Sequence, residues 1–352
     1  MPPRDQSSRP GARSRPSVDD VASLAGVSLG TVSNVLNHPD KVAAATRERV
    51  ERAMAMLGYV PNTAARSLKF GSSRSIGLIV SDLSNSLFVD IARGAENGAE
   101  QGGLTLLIAN SDAKIERESS YLTMFAESRV TGVLMTLNDA AHFAAVSRRA
   151  PAGIPLVLLN FSAPPSQYCS VDVDNALGGY LAAKHLIETG RRKLVFVGGP
   201  YELQPVVDRG KGFHRAVGEH PDVTSEVLTP EWINRSDGWA AGTQLAPRVA
   251  AGEIDGIFAA SDLLAAGIVQ ALSAATDVRV PDDVAIIGYD NNQAAWDSPI
   301  PISTIAQPGD DVGRLGAMLL QEEAAHGTGP HEHSTIVLPP RLIARQSSLP
   351  RA

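Results

Sequence analysis

Residues 17–37, SVDDVASLAGVSLGTVSNVLN, decide how this chain is read. Val21, Leu24 and Ala25 recur at the spacing of one helix face, Gly26 and Val27 break the run, and Val32, Val35 and Leu36 resume it. Ser17 with Asp20 three positions on is a variant of the capping box, and Ser28 stands where the second helix needs its own cap. Two short helices joined through a glycine make a helix-turn-helix. With Val32, Val35 and Leu36 turned inward, Ser28, Leu29, Gly30, Thr31, Ser33, Asn34 and Asn37 lie at or near the outer face. They are short and mostly uncharged, a shape that fits a DNA major groove. Any two amphipathic helices around a glycine share this spacing, so the continuation decides.

A third helical pattern runs over Thr46–Leu57, with Val50, Ala53, Met54 and Leu57 on one face, and leads into GYVPNTAARSLKFGSS. Taken together, AGVSLGTVSNVLN, TRERVERAMAMLGYVPN and AARSL resemble the DNA-binding headpiece and hinge of the lactose-repressor and galactose-repressor (LacI/GalR) family of transcription regulators. The resemblance continues through the sugar-binding core to Arg345. It implies that Asn62, Ala65 and Leu68 belong to a hinge that folds only on operator DNA, in a dimer, with Leu68 wedged into the minor groove. TAARSLKF by itself is too short and too poor in apolar groups to hold a helix alone. One departure is Ala43, where relatives usually offer a serine cap, and a lost cap costs about 1 kcal/mol.

Charge divides along the same line. The 352 residues carry a net charge of -7, but residues 1–75 hold 11 Lys/Arg against 6 Asp/Glu, leaving 20 against 32 for the rest. A basic head on an acidic body is expected when only the head meets phosphates. Residues 1–16 are rich in Pro, Ser, Gly and Arg and are expected to form a disordered basic arm. They lack the apolar segment of a secretory signal, and no later run reaches membrane-spanning length, so a cytoplasmic protein with no membrane partner is expected. Cys169 is the single cysteine, so no disulfide framework and no cysteine-based metal site are expected.

From Ser75 the apolar runs IGLIV, LTLLIAN, GVLMTL, PLVLLN, KLVFVGG, GIFAAS and VAIIGYD alternate with amphipathic stretches. That pattern predicts parallel sheets covered on both faces. The expected fold class is therefore a small all-α helix-turn-helix headpiece plus an α/β core of two parallel-sheet lobes, which the resemblance makes periplasmic-binding-protein-like. The expected divisions are an arm at 1–16, a headpiece at 17–61, hinge and linker at 62–74, core at 75–345 and a tail at 346–352. The resemblance has the chain cross between lobes near 172, 303 and 333. Lobe 1 is then 75–172 with 303–332, and lobe 2 is 173–302 with 333–345.

In open α/β sheets ligands bind beyond the carboxyl ends of strands. Asp82, Asn110, Asn160, Ser261, Asp262 and Asp290 stand at such ends, where each is also an ordinary cap or turn residue. The resemblance makes Arg209 in VVDRGKGF an effector-binding arginine and Asp290 in GYDN its acidic partner, with Phe88 and Trp232 stacking on the ligand. The expected effector set is Asp82, Phe88, Asn160, Arg209, Trp232, Asp262 and Asp290. Guanidinium, carboxylate and aromatic faces suit the hydroxyls and C–H faces of a sugar. A nucleobase or sugar phosphate is the alternative, and a sugar-binding protein without a regulatory role a remoter one. NSLF and FSAPPSQ depart from the family pattern.

Other patterns do not lead to chemistry. GVSLG fits G-x-S-x-G, but the nucleophile elbow needs a preceding strand, and here a helix precedes. No catalytic residue, cofactor or metal is expected. His326, His331 and His333 cluster around a polar loop, GTGPHEH, without carboxylate or cysteine support for a zinc site, so surface histidines are expected. No leucine heptads follow the core, so a homodimer rather than a coiled-coil tetramer is expected.

Overall fold

The computed structural model describes residues 16–60, 73–275, 278–327 and 331–349. They divide into two units, at 1–71 and 72–352.

In the first unit, helices α1 (Val18–Ala25), α2 (Leu29–Asn37) and α3 (Ala44–Leu57) surround a core of Val21, Ala22, Ala25, Val32, Val35, Val50 and Ala53. The capping box is formed: Asp20 N–H donates to Ser17 Oγ, and Ser17 N–H donates to Asp20 Oδ2. Gly26 closes α1 at φ 63°, a left-handed conformation that carries a penalty for any residue with a Cβ. Ser28 caps α2 by accepting from Thr31 N–H. Ala43 offers α3 no side-chain cap, as expected. Leu24 departs from the helical reading, being 48% exposed rather than in the core.

The second unit has two lobes. The first holds β1 (Ser75–Val80), β2 (Thr105–Asn110), β3 (Val133–Thr136), β4 (Leu156–Leu159), β5 (Cys169–Val173) and β11 (Thr335–Leu338) in the order β11-β5-β4-β3-β1-β2, all parallel. The second holds β6 (Lys193–Val197), β7 (Thr224–Leu228), β8 (Gly256–Ala259), β9 (Ala285–Asp290), β10 (Ser303–Ala306) and β12 (Arg341–Ile343) in the order β12-β10-β9-β8-β6-β7. Only β12, at the edge, runs antiparallel in that sheet. Helices cover the faces. In lobe 1, α4 (Ser86–Gln101) and α12 (Gly309–His326) approach so closely that a Cβ on Gly94 would lie 1.8 Å from the Asp310 carbonyl oxygen.

The strand order shifts the expected boundaries. β10 belongs to the lobe 2 sheet, and β11 to the lobe 1 sheet, so the crossings fall near 174, 307–308 and 339–340 rather than 172, 303 and 333. Both strands have only four residues, too few for a period to show in the sequence. The expected tail at 346–352 is corrected too. Ser347 and Ser348 are fully buried: Ser347 Oγ donates to the Ile286 carbonyl, and Ser348 Oγ lies 2.6 Å from Ser303 Oγ.

β2 was expected to be buried on both faces, yet Leu107 and Ile108 are 41% and 51% exposed. As the edge strand it lacks the cover its neighbours have.

Candidate functional site

Between the lobes lies a cavity of about 350 Å³. Six of the seven effector residues expected from the sequence line it: Asp82, Phe88, Asn160, Arg209, Trp232 and Asp290. Asp262 does not, and is corrected. It opens the helix Asp262–Ala274 at 0% exposure, its Oδ2 accepting from Asn292 N–H, so it supports the loop after β9 from beneath. Burial, then the neighbouring Asp290 charge, push its carboxyl well above the usual range. Asn110 and Ser261 also lie off the cavity. Asn110 donates to Asp112, while Ser261 caps the helix through Leu264 N–H.

Arg209, on the helix Gln204–Gly218, is the floor of the site and is 96% buried. Its Nε donates to Asn175 Oδ1 at 2.9 Å and its Nη1 to the Ala260 carbonyl at 2.5 Å. Its guanidinium carbon stands 3.6 Å above the Tyr289 ring. Nη2 is 3.8 Å from Asp290 Oδ1, an ion pair without a direct hydrogen bond. Asp290 ends β9 at φ 111°, a strained conformation for a residue with a Cβ, and this turns its carboxylate back into the cleft. Gln307 Nε2 donates to Oδ1 at 2.7 Å, and Asn85 Nδ2 to Oδ2 at 3.1 Å. Burial raises the Asp290 carboxyl, and Arg209, Gln307 and Asn85 all work in the opposite direction.

Asn85 and Asp290 sit on opposite lobes, so their hydrogen bond spans the cleft. Asn85 Oδ1 also accepts from Asn292 Nδ2, Gln293 N–H donates to Ser86 Oγ, and Gln204 N–H donates to the Asn138 carbonyl. The walls are apolar: Phe88 with Leu203, Val206 and Ile233, and Trp232 half exposed at the mouth.

Sequence reasoning missed Asn85, Asn138 and Gln307. Asn138 and Gln307 follow β3 and β10 closely, so the carboxyl-end rule that selected Asp82 and Asp290 would have found them. Asn85 caps α4 through Leu87 N–H, and its place in the cavity lining has no local signal.

At the headpiece, Leu29, Gly30 and Asn34 are exposed on α2. Ser33 and Asn37 engage each other, with Asn37 Nδ2 donating to the Ser33 carbonyl at 2.8 Å, and Ser28 Oγ lies 2.9 Å from Thr31 Oγ1. Asn62, Ala65 and Leu68 lie outside the described residues. Another expectation is overturned: His331 and His333 are not isolated surface groups. Their imidazoles are 15% and 21% exposed and face Cys169 and Glu323.

Residues 17–62 match the model of bacterial regulatory proteins of the lacI family, and 183–348 match the periplasmic-binding-protein-like domain. The HTH-type transcriptional repressor PurR of Aliivibrio salmonicida is 34% identical over 94% of this chain and 98% of its own. The chain belongs to the LacI family. Among solved LacI-type structures, a complex of the transcriptional regulator CelR with cellobiose is 33% identical and covers 95% of this chain and all of its own, with a TM-score of 0.67. The lac repressor dimer bound to operator and the anti-inducer ONPF is 25% identical over 95% and 99% of the two chains, with a TM-score of 0.79. The PurR and lac repressor relatives are named as repressors and CelR as a transcriptional regulator. No helix among the described residues is long and apolar enough to cross a membrane.

Proposed function

We propose that the chain is a transcriptional repressor that binds a palindromic operator as a homodimer, and that a neutral mono- or disaccharide in the interlobe cavity controls its operator affinity. The observation that carries this reading is Arg209 beside Asp290 at the base of a cavity with amide-bearing rims and an aromatic mouth. Asp82, Asp112 and Asp290 face the cavity against a single guanidinium. That balance disfavours a phosphorylated ligand and suits hydroxyls, which donate to carboxylates and accept from amides. The cellobiose bound to a relative of 33% identity supports the same class.

On α2, base reading falls first to the exposed Leu29, Gly30 and Asn34, since Ser28 with Thr31 and Ser33 with Asn37 share side-chain hydrogen bonds within the headpiece. With no arginine on this face, direct readout is modest, and DNA deformation by the hinge contributes the remainder. Leu107 and Ile108, exposed on the two faces of edge strand β2, leave that edge apolar, which supports pairing of two cores. Since Asn85 and Asp290 hydrogen-bond across the cleft, a ligand that takes over those groups changes how the lobes pack. The coupling is reciprocal: a sugar that weakens operator binding binds less tightly to the DNA complex.

The test is a thermal-shift screen of the purified protein against neutral sugars, sugar phosphates, polyols and nucleobases. A ligand at 100 times its dissociation constant adds about 2.7 kcal/mol of stability. A shift with neutral sugars supports the reading. Shifts only with nucleobases or phosphorylated compounds overturn the sugar assignment while leaving the DNA-binding one.

A further inference from the structure

Away from the effector cavity, four side chains distant in sequence meet at one edge of lobe 1. Cys169 begins β5 and is fully buried. β11 pairs with β5 in parallel, Thr335 opposite Ser170, so the extended stretch before β11 runs alongside Cys169. His331 and His333 are two apart on that stretch, where alternate side chains of an extended chain share a face. Glu323 comes from the last turns of α12.

Contacts to the sulfur are at hydrogen-bond distance, Ser334 N–H also donating to it at 3.5 Å, but those to the carboxylate are not. Cys169 Sγ lies 3.1 Å from His331 Nε2 and 3.7 Å from His333 Nδ1. Glu323 Oε2 is 4.0 Å from each of those two nitrogens, too far to bond either. It is buried without a hydrogen-bond partner among the described residues. One donor atom from each of the four residues falls within 4.8 Å of the others. With metal bonds of about 2.0 Å to nitrogen or oxygen and about 2.3 Å to sulfur, the edges of a tetrahedral site are about 3.3–3.5 Å long. A tetrahedral ion here draws the donors in from separations of up to 4.8 Å, apart from the Cys169–His331 pair, which already stands at 3.1 Å. It explains the orphaned carboxylate oxygen, which hydrogen bonding does not.

We propose that Cys169, Glu323, His331 and His333 form a zinc(II) site. A thiolate, two imidazoles and a carboxylate favour zinc over magnesium or calcium, which take oxygen ligands. Four protein ligands fill a tetrahedron and leave no position for substrate, so the ion is structural. Binding sends the Cys169 thiol proton to solvent and takes both imidazoles neutral. The bound ion ties the lead-in to β11 and the end of α12 to β5, securing the edge of the sheet. The site lies at the amino ends of these parallel strands, whereas the effector cavity lies at the carboxyl ends and shares no residue with it.

The experiment uses the full-length, untagged protein, stripped with chelator and titrated with Zn²⁺ against a chromophoric competitor, with Co²⁺ as a spectroscopic probe. One Zn²⁺ per chain is expected, together with the visible bands of tetrahedral Co²⁺ and a thiolate-to-cobalt charge-transfer band. Cys169→Ser removes the charge-transfer band. His331→Gln, at a partly exposed position that tolerates change, weakens Zn²⁺ binding by at least about 100-fold, the upper end of what losing a supporting contact costs. Zn²⁺ raises the thermal midpoint of the wild type and leaves that of His331→Gln in place. Absence of stoichiometric uptake by the wild type overturns the proposal, as does undiminished uptake by both variants.

Discussion

The headpiece and the core are built from different materials. The fully buried residues of the headpiece are valines and alanines only, whereas the two lobes bury Phe125, Phe196, Phe213, Phe258 and Tyr289. A unit of this size buries little surface and is marginal by itself, while the core has ample reserve. The headpiece is therefore the part whose order is expected to respond to a partner, and the core the part with a cavity already formed. The same division separates the kinds of contact. Headpiece contacts are close in sequence, as in the Ser17–Asp20 capping box, whereas Asn85 meets Asp290 across 205 positions.

The largest expected effect is in the core. Replacing Arg209 with Met leaves Asp290 buried without its counter-charge, and breaking such a pair costs about 3–5 kcal/mol. Urea unfolding followed by tryptophan fluorescence reads that loss in the core transition, and the sugar-induced change in operator affinity disappears with it. An unshifted core transition would mean that the 3.8 Å pair contributes nothing. Next comes Val32→Ala, which opens a void in the fully buried centre of the headpiece. About 2 kcal/mol is lost, enough to unfold the headpiece in the absence of DNA while the core transition stays in place. Circular dichroism of the full chain separates the two, and a single transition that moved as a whole would break the division drawn above.

A smaller change works in the other direction. Ala43→Ser supplies the cap that α3 lacks and should stabilise the headpiece by about 1 kcal/mol, raising its midpoint by about 4–8 °C. The smallest effect concerns pH. Burial lowers the His185 imidazole, whose Nε2 lies 2.6 Å from Ser348 Oγ, so on acidification the unfolded chain takes up a proton that the folded core resists. That contribution is whole above the ordinary imidazole value of about 6.5 and is lost as pH falls below it. His185→Gln should flatten the pH dependence of the core midpoint, and a slope unchanged in the variant would assign it to other groups.

How much was legible in advance follows the same line. The caps at Ser17 and Ser28, the missing one at Ala43 and the inward Val32 and Val35 were readable because helices are set by neighbours three and four apart. Asp82, Asn160 and Asp290 were readable because strand ends point at the cleft in parallel sheets. Asp262 satisfied the same rule and failed it in space, since a helix N-terminus also takes an aspartate. The lobe crossings were misplaced because β10 and β11 are short, and sheet membership is a property of pairing, not of local pattern. The histidines of the Cys169, Glu323, His331 and His333 cluster stood out in the sequence but the partner cysteine did not, lying 164 positions from His333.

The most direct measurement selects duplexes from a random pool with the full-length protein, then follows affinity for the selected site by fluorescence anisotropy with and without each sugar that raises the thermal midpoint. The account predicts a symmetric site, a steep loss of affinity with salt, and a change of tenfold or more, about 1.4 kcal/mol, on adding the sugar, abolished by Arg209→Met. Failure to enrich any symmetric site, or an operator affinity indifferent to every ligand that stabilises the core, would contradict it.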